Sequence, residues 1–206
     1  NITRQVTVDA GSDGQVCQNS TFTVNSAVAQ FQSSLLWTHN GSGILNNANT
    51  ITPTYIPGAG ESGTITLVLN GYAKEPCSDV SDQISLTISE AAGAYAGNDF
   101  TICEGETYTL SEASASGYTA LVWTRTGSGS FSNSTILHPV YTPSAADIAA
   151  GSVILTVTSI ATPPCLNSSS SMTLHITRQV TVDAGGNGMV CQNAPYTVSG
   201  SSAQFY

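Results

Sequence analysis

The residues with the most chemistry to offer are five cysteines, three histidines and a thin scatter of carboxylates. The cysteines stand at 17, 77, 103, 165 and 191. None belongs to a Cys-x-x-Cys pair or lies at zinc spacing from a histidine, so disulfides formed in an oxidising compartment are the chemistry they fit. His39, His138 and His175 are the only candidate bases of the imidazole kind, and no HExxH, Gly-x-Ser-x-Gly or phosphate-loop pattern accompanies them. Asp9, Asp13, Asp99 and Asp183 sit in Ala-Gly-rich turns where carboxylates either cap the turn or bind calcium, which takes six to eight oxygen ligands. No EF-hand or RTX spacing is present, so no cofactor is expected and turn capping is the reading adopted, with calcium at these four acids as its alternative.

The elements that would position these groups follow from composition. Only 8% of the 206 residues are charged, against a hydrophobic fraction of 40%. Thr, Ser, Asn and Gly therefore occupy surface positions in a chain with enough Val, Ile, Leu, Phe and Tyr to build cores. Thirteen acids against four bases give a net charge of −9. Four scattered cations cannot displace the counterions of a nucleic acid or hold an anionic membrane, and no apolar run is long enough to span one. Neither nucleic acid nor membrane insertion is expected.

Self-similarity is the strongest signal. ITRQVTVDAG at 2–11 recurs without change at 176–185, a shift of 174. WTHNGSG from Trp37 returns as WTRTGSG from Trp123, and TPTYIP from Thr52 as HPVYTP from His138, both at a shift of 86. Past a two-residue insertion near Asp147 the shift becomes 88, matching Cys77 with Cys165 and Ile84-Leu86-Ile88 with Met172-Leu174-Ile176. The chain thus divides into the end of one repeat (1–5), two full repeats (6–92 and 93–179) and the start of another (180–206), an excerpt of a longer array.

Within each copy, sets such as Phe22/Val24, Leu35/Trp37 and Ile65/Leu67/Leu69 recur at every second position, the period of half-buried strands. Clusters such as His39–Gly43 and Pro57–Gly60 break the runs. The one helical turn expected lies at Ser144–Ala150. Six or seven strands per copy, with a Trp near the middle, predict an all-β fold of tandem Ig-like antiparallel sandwiches in an extended rod.

Overlaying the copies also weighs the candidates. His39 falls on Arg125, His138 on Thr52 and His175 on Thr87, so no triad could be shared between copies. Trp37 and Trp123, in step with Leu35 and Leu121, read as core rather than as sugar-stacking platforms. Tyr72, Tyr118 and Phe131 are the aromatic candidates for ligand contact from loops. The Gly-Ser-Gly stretches at 41–43 and 127–129 precede no helix and read as hairpin turns. Asn1, Asn19, Asn40, Asn133 and Asn167 begin glycosylation tripeptides, which carry meaning only in a eukaryotic secretory setting.

Two disulfide schemes remain open. Pairing within a copy would join Cys17 to Cys77 and Cys103 to Cys165. Strand geometry offers the alternative of Cys17 with Cys165, across the junction between copies, because Cys17 and Cys77 should lie at opposite ends of strands some 30 Å long. Cys191 belongs to the third copy.

The succession AGxD, Cys, YTL, WTxTGSGxF, PxYTPSAADIAAG, LTVT, Cys and MTLxI resembles the PKD-like and Ig-like repeats of giant Bacteroidota surface proteins, among them gliding-motility adhesins of the SprB kind exported by the type IX system. WTHNGSG and WTRTGSG depart from the WDFGDG pattern of standard PKD domains. The resemblance implies an extracellular, cell-surface protein that displays or adheres and is not an enzyme. The expected role is a stalk or filament segment whose partners are neighbouring repeats of the same chain, with lateral self-association or a surface ligand as further partners. The alternatives are a carbohydrate- or protein-binding module, and a spacer attached to a secreted enzyme.

Overall fold

The computed structural model describes residues 3–204. The chain enters through nine strands: β1 (Thr7–Asp9), β2 (Gly14–Cys17), β3 (Phe22–Thr23), β4 (Val28–Gln30), β5 (Ser34–His39), β6 (Ile44–Asn46), β7 (Thr54–Ile56), β8 (Gly63–Tyr72) and β9 (Val80–Ser89). The second copy follows as β10 (Gly93–Tyr95), β11 (Phe100–Cys103), β12 (Tyr108–Thr109), β13 (Ser114–Ser116), β14 (Tyr118–Arg125), β15 (Ser130–Phe131), β16 (Val140–Thr142), helix α1 (Ala145–Ala150), β17 (Ser152–Ala161) and β18 (Ser168–Thr177). β19 (Thr181–Asp183) and β20 (Ser202–Gln204) complete it. Two compact units divide the chain: residues 1–95, 114–122 and 157–170 form one, and 96–113, 123–156 and 171–206 the other.

In the first unit, alternation decides which face is buried. β8 turns Ile65, Leu67 and Leu69 inward, with Thr66 and Val68 between them, and β9 turns Ile84, Leu86 and Ile88 the same way, with Ser85 and Thr87 between them. The two strands pair antiparallel along their length, setting Leu67 against Ile84 and Ile65 against Leu86. β5 extends the sheet on the β8 side, with Trp37 opposite Leu69. β2 extends it on the β9 side in parallel, which sets Val16 beside Ile88 and Cys17 beside Ser89. The order β2-β9-β8-β5 faces a three-stranded sheet, β3-β7-β6. Trp37, Tyr55, Val16, Val24 and the inward residues of β8 and β9 make one core, on which Phe22, Leu35 and Leu45 pack. Each such side chain, fully buried, contributes about 1.5–3 kcal/mol against the chain entropy lost. These two sheets supply the seven strands of a sandwich; the separate β1–β4 pair is additional to the expected count.

The second copy repeats the plan. β11-β18-β17-β14 form four strands and β12-β16-β15 three, and β11 pairs in parallel with β18, setting Cys103 beside Thr177. The second unit buries Ile102, Leu110, Trp123, Tyr141, Val153, Leu155, Met172, Leu174 and Ile176. β10 and β13 pair as a separate small sheet, as β1 and β4 do.

α1 forms where the sequence inserts residues. Ser144, in extended conformation, accepts from the Asp147 N–H, and the Asp147 carboxylate accepts from the Ser144 N–H, a reciprocal capping box. Gly151, at φ 76°, ends the turn by donating its N–H to the carbonyls of Asp147 and Ile148. β19 and β20 pair Thr181 with Gln204, the same pairing as Thr7 with Gln30 under the shift of 174. Among the described residues no helix is long and apolar enough to cross a membrane.

Candidate functional site

The one covalent cross-link among the described residues joins Cys17 to Cys165, 148 positions apart in sequence, with Cα atoms 4.9 Å apart. Cys17 reaches it because it ends β2, whose parallel register lays it beside Ser89 at the end of the first copy. Gln18 holds that end by donating its N–H to the Ser89 carbonyl at 2.8 Å and accepting from the Ala91 N–H at 3.2 Å. Cys165 arrives from the turn between β17 and β18, which its own N–H closes on the Thr162 carbonyl at 3.0 Å. Its Sγ lies 3.4 Å from the Ser89 carbonyl. Ser159 on β17 donates to the Gly93 carbonyl at 2.8 Å, and Gly117, at φ 56°, is packed so closely on the Ala91 carbonyl that a Cβ there would strike it.

The pairing of Cys17 with Cys77 and of Cys103 with Cys165 is therefore not the one the structure holds. β9 is the reason. Its ten residues separate Cys17, beside Ser89, from Cys77, which precedes Val80, and at about 3.3 Å per residue they span roughly 30 Å. A disulfide needs Cα atoms within about 7 Å. Cys77, Cys103 and Cys191 carry free thiols, Cys77 partly covered and the other two exposed.

The most elaborate polar constellation was not among the sequence candidates. Asp147, only 2% exposed, accepts from the Tyr141 hydroxyl at 2.9 Å and from the N–H groups of Ser128 (3.0 Å), Gly129 (2.9 Å) and Ser144 (2.9 Å). Glu61 repeats the arrangement in the first copy, taking the Tyr55 hydroxyl at 2.9 Å and the N–H groups of Ser42 and Gly58 at 2.7 Å each. The Gly-Ser-Gly turns thus form a concave cluster of backbone N–H groups of the kind that binds anions, filled by the chain's own carboxylate. Glycine is required there. A Cβ at Gly129 would run into Tyr141, the Thr142 carbonyl and Asp147, and one at Gly43 into the Ile56 carbonyl and Tyr55.

Burial pushes the Asp147 carboxyl up, but the hydrogen bonds from Ser144, Tyr141 and Ser128 outweigh it and hold the group below its ordinary value. Glu61 is lowered by the same balance, against burial, through Gly58 and Ser42. Burial raises the Tyr141 phenol well above its usual range, and the neighbouring Asp147 charge raises it further. These groups are locked in their ionisation states, which suits latches rather than proton transfer. The signal was present in the sequence: Tyr55 and Glu61 fall on Tyr141 and Asp147 at the shift of 86.

The remaining candidates find places of their own. Trp37 and Trp123 are each 2% exposed, and their indole N–H groups donate to the carbonyls of Thr50 (3.1 Å) and Ile136 (3.2 Å), residues themselves related by the shift of 86. Asp13 accepts from the Ser85 N–H at 2.8 Å and Asp99 from the Thr173 N–H at 2.6 Å, tying β2 and β11 to the adjacent long strand of each copy. Asp9 and Asp183 cap turns on Gly11 and Gly185, each at 2.8 Å. Each of the four carboxylates is thus engaged by a backbone N–H, and among the described residues no group of three or more His, Cys, Asp or Glu is placed to hold a metal ion.

His39 meets the Tyr55 ring edge-on at 5.1 Å, His138 Nε2 lies 3.0 Å from the Ala113 carbonyl, and His175 is exposed on β18. Phe131 is not a free loop aromatic: it is half-buried on β15, 5.9 Å from the Trp123 ring and 5.1 Å from that of Tyr141. Tyr72 and Tyr118 are 37% and 41% exposed. Asn40, Asn133 and Asn167 turn their carbonyl oxygens onto the N–H groups of Thr66, Thr135 and Ala161. Asn1 lies outside the described residues.

Neither a protein-family model nor a curated protein matches the chain. Similar solved structures are multidomain fragments. The I67–I69 fragment from the titin I-band is 15% identical with a TM-score of 0.49, covering 87% of this chain and 68% of that one. The Drosophila N-cadherin EC1–4 structure is 12% identical with a TM-score of 0.47, covering 85% of this chain and 50% of its own. The D00–D0 domain of intimin is 12% identical with a TM-score of 0.40, covering 81% and 98%.

Proposed function

We propose that this chain is a non-catalytic structural segment of a repetitive extracellular surface protein, in which Ig-like sandwiches at 6–92 and 93–179 are linked in series. Residues 1–5 close the repeat before them and 180–206 open the one after. The observation that carries this reading is the Cys17–Cys165 bond, which fastens the end of one copy to a turn of the next. A disulfide inside a compact enzyme domain stabilises that domain alone; one between successive copies resists their separation under load. Its presence also fits an oxidising compartment outside the cytoplasm. The reading accounts for sandwiches that each have their own core, and for polar apparatus spent on fixing turns rather than on an open site. A surface adhesin, of the kind the repeats resemble, would need such a stalk.

Pulling single molecules by their termini tests this. With the disulfide intact, the 148-position segment between Cys17 and Cys165 should stay shielded, and reductant should release about 500 Å of additional contour length. Equal extension with and without reductant, in a chain shown to be folded, would remove the mechanical role.

A further inference from the structure

The bonded pair at the junction has two unbonded counterparts, and their surroundings are already built. Under the shift of 86, Cys103 is the counterpart of Cys17, and under the shift of 88 Cys77 is the counterpart of Cys165. Cys103 sits in parallel register with Thr177 as Cys17 does with Ser89. The residue after it, Glu104, donates its N–H to the Thr177 carbonyl at 2.9 Å, as Gln18 does to Ser89 at 2.8 Å. At the other end, the Cys77 Sγ lies 3.8 Å from the Thr3 carbonyl and 3.5 Å from that of Arg4. Thr3 is the counterpart of Ser89, whose carbonyl lies 3.4 Å from the Cys165 Sγ. The Cys77 turn closes on the Lys74 carbonyl at 3.0 Å as the Cys165 turn closes on Thr162. Both halves of the staple therefore recur, each on the same backbone carbonyl position and each with its thiol free.

We infer that Cys103 and Cys77 are acceptor sites for further staples of the same kind. Cys103 bonds the cysteine that a following repeat presents at the Cys77 position, and Cys77 bonds the cysteine that a preceding repeat presents at the Cys103 position. The rule is one bond per junction, always from the end of the first parallel strand of one copy to the turn before the last strand of the next. The inference deepens the structural reading proposed above and rests on it. Closure requires an oxidant of the small-molecule disulfide class. The Cys103 thiolate attacks glutathione disulfide, forming a mixed disulfide and releasing one glutathione thiolate. The incoming cysteine thiolate then attacks the Cys103 sulfur and releases the second, so two protein thiols and one glutathione disulfide give one protein disulfide and two glutathiones.

The test extends the full chain at its C-terminus by a copy of residues 33–92, which under the shift of 174 completes the repeat begun at 180 and adds a second copy of Cys77. Refolding in a glutathione redox buffer, thiol counting and non-reducing peptide mapping follow. The expected result is Cys103 joined to the added cysteine with Cys17–Cys165 intact, leaving two free thiols, on Cys77 and Cys191, and C103S should leave the added cysteine free. Residues 93–174 placed ahead of the full chain give a second, independent readout, with the added copy of Cys103 closing on Cys77. An added cysteine that bonds Cys191, or stays free while Cys17–Cys165 forms in a folded chain, overturns the inference and leaves the first staple standing. Absence of Cys17–Cys165 itself overturns both readings.

Discussion

The Tyr141 hydroxyl donates to the Asp147 carboxylate at 2.9 Å, and that carboxylate is held below its ordinary ionisation range while nearly all of it is out of solvent. A carboxyl lowered in the folded state contributes stability that is fully present above the unfolded value of about 4 and is lost as pH falls through the lower folded value. Denaturant midpoints measured between pH 7 and pH 2 should therefore fall below about pH 4. D147N should be less stable at pH 7 by about 2–3 kcal/mol, the value of hydrogen bonds to a charged group, and flatter in the acid range. Glu61 titrates in the same direction, so D147N with E61Q should be flatter still.

Gly129 has no room for a methyl group, because Tyr141, the Thr142 carbonyl and Asp147 close around it. G129A should lower stability by about 1–3 kcal/mol, as forced displacement in a packed site does. At Gly186 a Cβ would meet only open space, and G186A should be silent in the same thermal melt. Equal midpoints for the two variants would contradict the latch geometry.

Trp123 fills the core and donates to the Ile136 carbonyl, so its indole has both a volume and a polar role. W123F should cost about 1–3 kcal/mol, since it leaves that carbonyl without its donor, and W37F should cost a similar amount through Thr50. Emission of both indoles should be blue-shifted and protected from acrylamide until the chain unfolds. Emission typical of water-exposed indole in the folded protein would contradict the core assignment.

Cross-linking positions 148 apart removes much of the freedom of the unfolded chain, worth about 5 kcal/mol as an upper figure in the chain-entropy description. C165S, or reductant, should lower the unfolding free energy obtained from guanidinium titration by an amount approaching that value. C77S, which alters only a free thiol, should leave it within about 0.5 kcal/mol.

Strands and core were legible because burial imposes period two directly: Leu67 and Leu69, and Leu86 and Ile88, stand at every second position and lie in the core where that period puts them. Trp37 and Trp123 were legible for the same reason. The cysteine pairing was only half legible. Spacing allows Cys17 to reach Cys77 or Cys165 equally well, and only the parallel register of β2 with β9 decides. Phe131 read as a loop residue because the two-residue strand β15 is too short to show a period.

Glu61 and Asp147 were missed for a different reason. An isolated acid in a turn or a one-turn helix normally faces water, and nothing local announces that a tyrosine six residues earlier will close over it. The four aspartates weighed for calcium are spent on single backbone N–H groups, a use that leaves no spacing signature.

The most direct test is non-reducing peptide mapping of the chain folded in an oxidising compartment. The peptide containing Cys17 should be joined to the one containing Cys165, with Cys77, Cys103 and Cys191 alkylated as free thiols. Recovery of Cys17 joined to Cys77, with Cys103 joined to Cys165, would contradict that pairing and return each bond to a single copy.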